Sequence, residues 1–283
     1  MITRRIFAGS LAAATASAKK LTKSIGVQLY TARTLLNKDA EGTMKRIAEL
    51  GYKEVELFSV DQITKLGLIA ERYGMKPTSC HIPATISLNA DKTQYEAALR
   101  AAKTVGLQWV GVPFVAPNDR GTGREFWKAF AVKLNRAAEI ADKSGLGFFY
   151  HNHAFEFAGK KGDRVIDVFA EELNRKLVKL ELDVFWVAAA GEDPVAVLQQ
   201  WRGRVGLLHV KDRASSMAKI ETESQAKPAD FKEVGNGNLD FKAIFKAARK
   251  AGVDRYFVEQ DQCPGDPIDS LKVSYNNLKK LGE

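Results

Sequence analysis

Eight short apolar or β-branched runs, each followed by a segment of helical period, constrain this chain more than any other feature. The runs begin at Ile25, Glu54, Lys76, Trp109, Gly147, Val178, Val205 and Tyr256. Helical spacing of apolar residues follows them at 41–51, 63–73, 95–105, 126–144, 165–174, 194–201, 241–251 and 267–281. Gly51, Gly74, Gly106, Gly145 and Gly252 stand where a left-handed C-cap would turn a helix back towards the next strand. Strands separated by single helices pair in parallel through right-handed crossovers. Eight such units in about 260 residues match a (β/α)8 TIM barrel in number and length. A doubly wound open sheet is the competitor, but Gly26-Val27-Gln28-Leu29-Tyr30-Thr31 holds no glycine-rich phosphate loop after the first strand. The expectation is an α/β fold, a single-domain (β/α)8 barrel over 24–283, with no internal repeat and no linker.

The N-terminus reads differently. Thr3-Arg4-Arg5-Ile6-Phe7 precedes an alanine-rich stretch, and Ala16-Ser17-Ala18 offers a small-residue cleavage site. That order predicts an export signal of the twin-arginine type over 1–18, hence a periplasmic or secreted protein that folds before export. The apolar part is too short to remain as a membrane span, and no other span is evident, so no membrane anchor is expected in the mature form. The net charge of +9 is spread along presumed helix faces, which favours a solvated basic surface over a nucleic-acid partner. Two cysteines, Cys80 and Cys263, make neither a disulfide framework nor a zinc set.

All four histidines (His81, His151, His153 and His209) lie at or just past the C-terminal end of a predicted strand. Leu180-Glu181-Leu182-Asp183 and Tyr256-Phe257-Val258-Glu259 end in carboxylates. In a barrel these ends converge on one mouth, where catalytic groups come from several strands. Alternation puts Glu181 with Asp183, His209 with Lys211, Phe257 with Glu259, and His151 with His153 on shared faces. Asp183, His209 and Glu259 therefore offer an oxygen-rich, single-imidazole site for one divalent ion such as Mn²⁺, Mg²⁺, Co²⁺ or Zn²⁺. The fourth ligand is Glu156 or His151; Glu156 is preferred because its charge would help to neutralise the cation.

Taken together, Tyr150-His151-Asn152-His153-Ala154-Phe155-Glu156-Phe157, Glu181-Leu182-Asp183-Val184-Phe185-Trp186, Leu208-His209-Val210-Lys211-Asp212 and Val258-Glu259 resemble the sugar phosphate isomerase/epimerase group of xylose isomerase-like TIM barrels, also called AP endonuclease family 2-like. Gly26-Val27-Gln28-Leu29-Tyr30 and the turn Val234-Gly235-Asn236-Gly237 are similar too. The resemblance implies one divalent metal held by Glu, Asp, His and Glu from strands five to eight. Asp183, His209 and Glu259 match the last three. The strand-five position carries Tyr150 or His151 instead of glutamate, and Trp186 stands where many relatives have histidine.

The implied chemistry is isomerisation or epimerisation of a sugar or keto-sugar by proton transfer α to a carbonyl through an enediolate. Glu259 or Glu156 would be the base, and His81, His151 or His153 a second proton carrier. Substrate contacts are assigned to His81, Lys211, Trp186 and Gln28. A lyase or hydrolase that eliminates the substituent of a 3-keto-glycoside needs the same parts. A sugar-binding barrel without chemistry is the non-enzymatic alternative, and an abasic-site endonuclease is disfavoured by the small number of histidines.

Overall fold

The structure, a computed structural model, describes Leu21 and residues 24–283, so the predicted export signal lies outside the described residues. Eight parallel strands close on themselves: β1 (Gly26–Gln28), β2 (Glu54–Leu57), β3 (Lys76–His81), β4 (Trp109–Val112), β5 (Gly147–His151), β6 (Val178–Asp183), β7 (Val205–Val210) and, after a two-residue antiparallel ladder of β8 (Asp212–Arg213) with β9 (Phe231–Lys232), β10 (Arg255–Val258). The order around the barrel is β1-β10-β7-β6-β5-β4-β3-β2, which is chain order once the ladder is set aside. The expected single-domain TIM barrel is what forms. All five predicted glycine caps adopt positive φ, from 68° at Gly106 to 108° at Gly51. Helices Ala40–Leu50, Phe241–Ala251 and Pro267–Leu281 start on Asp39, Asp240 and Asp266, whose carboxylates accept first-turn N–H groups. Among the described residues no helix is long and apolar enough to cross a membrane.

Alternation along the strands decides what faces the axis. Outward residues such as Val55, Cys80, Val110, Phe148, Tyr150, Leu180, Leu182 and Leu208 are buried beneath the helices. On the inner face, Phe149, Leu207 and Phe257 form a separate apolar plug with Trp109 packed against it. Two residues further along those same strands come His151, His209 and Glu259. The barrel interior is therefore layered, with an apolar plug below and a polar layer at the C-terminal mouth. Gly111 makes the plug possible: a Cβ there would run into the Phe149 ring and its carbonyl oxygen.

The 213–234 connection and the turn after it are held by one carboxylate. Asp212 accepts N–H groups from Arg213 (2.8 Å), Gly235 (2.9 Å), Gly237 (2.8 Å) and Leu239 (3.2 Å). The glycine turn expected from the sequence is thus a pinned loop at the barrel mouth.

Candidate metal and sugar site

The polar layer has a floor and a rim. On the floor, three imidazole nitrogens face one oxygen of Glu181: His81 Nε2 at 2.8 Å, His151 Nδ1 at 3.3 Å and His209 Nε2 at 3.3 Å from Oε2. Glu56 lies beside them, its Oε1 at 2.6 Å from His209 Nε2 and 3.2 Å from His81 Nε2. Gln28 Nε2 donates to Glu56 (2.8 Å), and the Ser79 hydroxyl donates to its other oxygen. Glu56, Glu181 and His209 have no solvent-accessible surface. Parallel register explains the convergence: Gln28 pairs with Glu56 and Glu56 with Ser79, while His151 pairs with Glu181 and Asp183 with His209.

On the rim, the Lys211 ammonium sits among three carboxylates, 2.9 Å from Asp183 Oδ2, 2.6 Å from Glu259 Oε2 and 2.8 Å from Asp261 Oδ2. His209 Nδ1 lies 2.9 Å from Glu259 Oε2, so the two nitrogens of one ring face the two layers. Asp183 divides its work likewise. Its Oδ1 accepts N–H from Phe185 (2.9 Å) and Trp186 (3.1 Å), capping the helix Val184–Ala189, and its Oδ2 turns to Lys211. The Asn152 side chain accepts the Asp183 N–H (3.0 Å), tying the end of β5 to β6.

The charges follow from this packing. Burial alone would push His209 and His81 down, but Glu181 and Glu259 hold His209 well above the usual imidazole value, and Glu56 and Glu181 lift His81 to about 9. His151 and His153 are pushed well down by burial and then by nearby cations, His209 foremost for one and Lys211 for the other. Burial raises Asp183 to about 6 against the pull of Lys211. Against its own burial, Glu259 is held below the usual carboxylate range by Lys211 and His209.

Above the rim opens a cavity of about 550 Å³, lined by His81, His151, His153, Lys211, Glu259 and Asp261 on its polar side. Tyr30, Phe58, Phe114, Trp186 and Phe231 form aromatic walls. Polar floor and aromatic wall together suit a polyhydroxylated ring, whose C–H face stacks while its oxygens bond below. Trp186 is both core and wall: it is 3% exposed, and its ring lies 5.2 Å from that of His153 and 6.0 Å from that of Phe231.

Most sequence-predicted site residues meet here. Asp183, His209 and Glu259 bring ligand-type atoms within 4.8 Å of one another, and His81, His151, Glu181 and His209 do the same. His151, the alternative fourth ligand, is therefore on the floor. Glu156, the preferred one, belongs to neither group. It lies on the turn Phe155–Phe157, buried beside β5, accepting the Tyr150 hydroxyl (2.7 Å) and the His153 N–H (2.8 Å). The outward direction of Tyr150 takes it there. Gln28 does not line the cavity either; it supports Glu56 from below. Sequence reasoning missed Glu56 and Asp261. Both follow the visible pattern, since Glu56 is an inward-parity charge at the end of β2, and Asp261 follows Glu259 by the same two residues that separate Lys211 from His209.

Fold and centre define a (β/α)8 barrel with a buried histidine–carboxylate cluster, able to hold a metal, beneath an aromatic-walled pocket. The chain belongs to the family of xylose isomerase-like TIM barrels, whose sequence model matches residues 44–280. An inosose dehydratase of Clostridium beijerinckii is 28% identical over 165 residues, 55% of this chain and 55% of that protein. The chain thus matches about half the length of the curated relative. A sugar phosphate isomerase/epimerase from Parabacteroides distasonis superposes with a TM-score of 0.75 at 24% identity, covering 95% of this chain and 96% of the other. The IolI protein with a bound zinc atom superposes with a TM-score of 0.68 at 17% identity, over 93% and 97% of the two chains. These superpositions speak for the fold.

Proposed function

We propose that this protein is a metal-dependent sugar isomerase or epimerase that moves a proton on the carbon α to the carbonyl of a sugar or keto-sugar. The observation that carries the reading is the aromatic-walled cavity whose polar end is the buried histidine–carboxylate layer. The residues fit a cation: His151 Nδ1 and Glu181 Oε1 are buried polar atoms without a hydrogen-bond partner. When bound, a divalent ion in such a centre polarises a carbonyl or the hydroxyl beside it.

The chain's own groups supply the rest. Trp186 and Phe231 hold the ring face, and Lys211 offers an ammonium to a sugar oxygen at the end where it already meets Asp261. Glu259, ionised and on the cavity wall, takes the α-proton. His153 faces the same cavity from the segment after β5 with a buried Nδ1 that has no hydrogen-bond partner. Epimerisation needs both carriers, one for each face, whereas isomerisation needs one.

Elimination of a substituent β to the carbonyl is the second reading, favoured by the dehydratase among the relatives. One experiment separates these outcomes. Metal-supplemented protein is incubated in D₂O with ketohexoses and with a 3-keto-glycoside, and the products are followed by NMR. Deuterium at the α-carbon with an isomerised or epimerised sugar supports the main reading. Release of the aglycone moves the assignment to a lyase. Binding without exchange would leave a sugar-binding barrel and refute both.

A further inference from the structure

The cavity above the polar layer carries aromatic rings on two opposite sides. Trp186 lies on the helix after β6 and His153 follows β5. Tyr30 and Phe58 follow β1 and β2, at least three strands away from β5 and β6 in either direction round the closed barrel. We propose that the substrate is a glycosylated sugar. The reacting sugar stacks on Trp186 over the polar layer, and a second sugar ring, joined to it by a glycosidic bond, seats on Tyr30 and Phe58. This rests on the sugar-isomerising reading above and names the kind of sugar it acts on.

One ring does not fill the space. A hexose occupies roughly 200 Å³ at the packing density of a protein interior. The cavity measures about 550 Å³, which leaves room for a second ring of the same size. Strand spacing and tilt make the barrel roughly 15 Å across between opposite backbones. A ring stacked on Trp186 therefore leaves the Tyr30–Phe58 side open. Two aromatic rings on that side hold water poorly and suit the C–H face of a pyranose.

The second wall is also exposed and braced. Tyr30 is 38% exposed, whereas Trp186 is 3% and Phe231 6% exposed. The Tyr30 and Phe58 rings meet edge to face, with centroids 5.8 Å apart at 77°. The Arg33 guanidinium lies 4.1 Å from the Tyr30 ring centroid and covers one face of that ring. The same group donates to the carbonyl oxygens of Tyr30 (2.9 Å) and Asp261 (3.1 Å). A platform already held this way gives up little freedom when a ligand lands on it. Gln262, exposed and following β10 beside β1, lines the cavity at this end and offers its amide to the hydroxyls of the second ring.

The test compares one ring with two that share a ketose. Binding of D-fructose and of three disaccharides that contain it, lactulose, turanose and isomaltulose, is measured by calorimetry. Metal-supplemented wild type, Tyr30→Ala and Phe58→Ala are compared. We expect at least one disaccharide to bind wild type about 10-fold or more tightly than fructose does. Each substitution should remove most of that gain, costing the disaccharide several times more affinity than it costs fructose. Wild type that binds no disaccharide more tightly than fructose, or a gain that survives both substitutions, overturns the inference. Exchange of the fructose α-proton in D₂O is read on the same wild type, and its presence leaves the proposed function standing in either case. The comparison on wild type decides the matter even if a variant fails to fold.

Discussion

Replacing Glu156 by Gln tests whether this carboxyl is part of the chemistry or part of the scaffold. Glu156 has no exposed surface, and burial raises its carboxyl to about 8 despite the hydrogen bonds it accepts from Tyr150 and from the His153 N–H. The folded protein therefore keeps a proton on this group over a range where the unfolded chain has lost it. With more protons bound in the folded state, stability falls as pH rises between the unfolded value of 4.5 and the folded value of about 8. The loss is about 1.4 kcal/mol per pH unit in that window, roughly 4–5 kcal/mol across it. Glutamine reproduces the protonated form, its oxygen accepting from the His153 N–H and its amide donating to the Tyr150 oxygen. Glu156→Gln should stay within about 1 kcal/mol of wild type at pH 5 and exceed it by roughly 3 kcal/mol or more at pH 8.5. Urea unfolding at a series of pH values measures this directly, and Zn²⁺ stoichiometry should not change. A variant destabilised equally at every pH, or one that loses the ion, would refute the reasoning and return Glu156 to the metal centre.

Trp186→Ala removes a wall and a packed ring together, so it should cost about 3–5 kcal/mol in thermal or urea unfolding. It should also weaken sugar binding by about 10-fold or more, measured by calorimetry with a non-turned-over ketose. Asp212→Ala strands four N–H groups that this carboxylate now satisfies, so the mouth loop should lose protection in hydrogen exchange while the barrel strands keep theirs, with a cost of about 2–3 kcal/mol. Gly111→Ala drives a methyl into Phe149 at the apolar plug and should destabilise by roughly 1–3 kcal/mol, read as a lowered Tm with the metal site intact once folded.

Much of the architecture can be read along the chain because it depends on local periodicity. All eight runs begin within one residue of a barrel strand, and the glycine caps at 51, 74, 106, 145 and 252 mark where the helices before them stop. The helix Val184–Ala189 was not legible, since it is apolar on every side and continues straight from β6. Strand parity likewise made Asp183, His209 and Glu259 visible as one mouth. It did not reveal depth: Glu181 shares parity with Asp183 but lies one layer lower, and only barrel stagger brings it to His81, two strands further than its neighbour β5.

By itself, then, the sequence determined which residues face the axis and at which end of the barrel they gather, because both follow from a two-residue repeat and from helix caps. Tertiary structure alone decided their partners. Glu56 reaches His209 across the closed barrel, Lys211 settles among three carboxylates from two strand ends, and Glu156 turns outward to Tyr150. Those pairings depend on stagger, closure and the direction of a single turn after β5, which act between residues up to 153 positions apart in the chain. No local period encodes them.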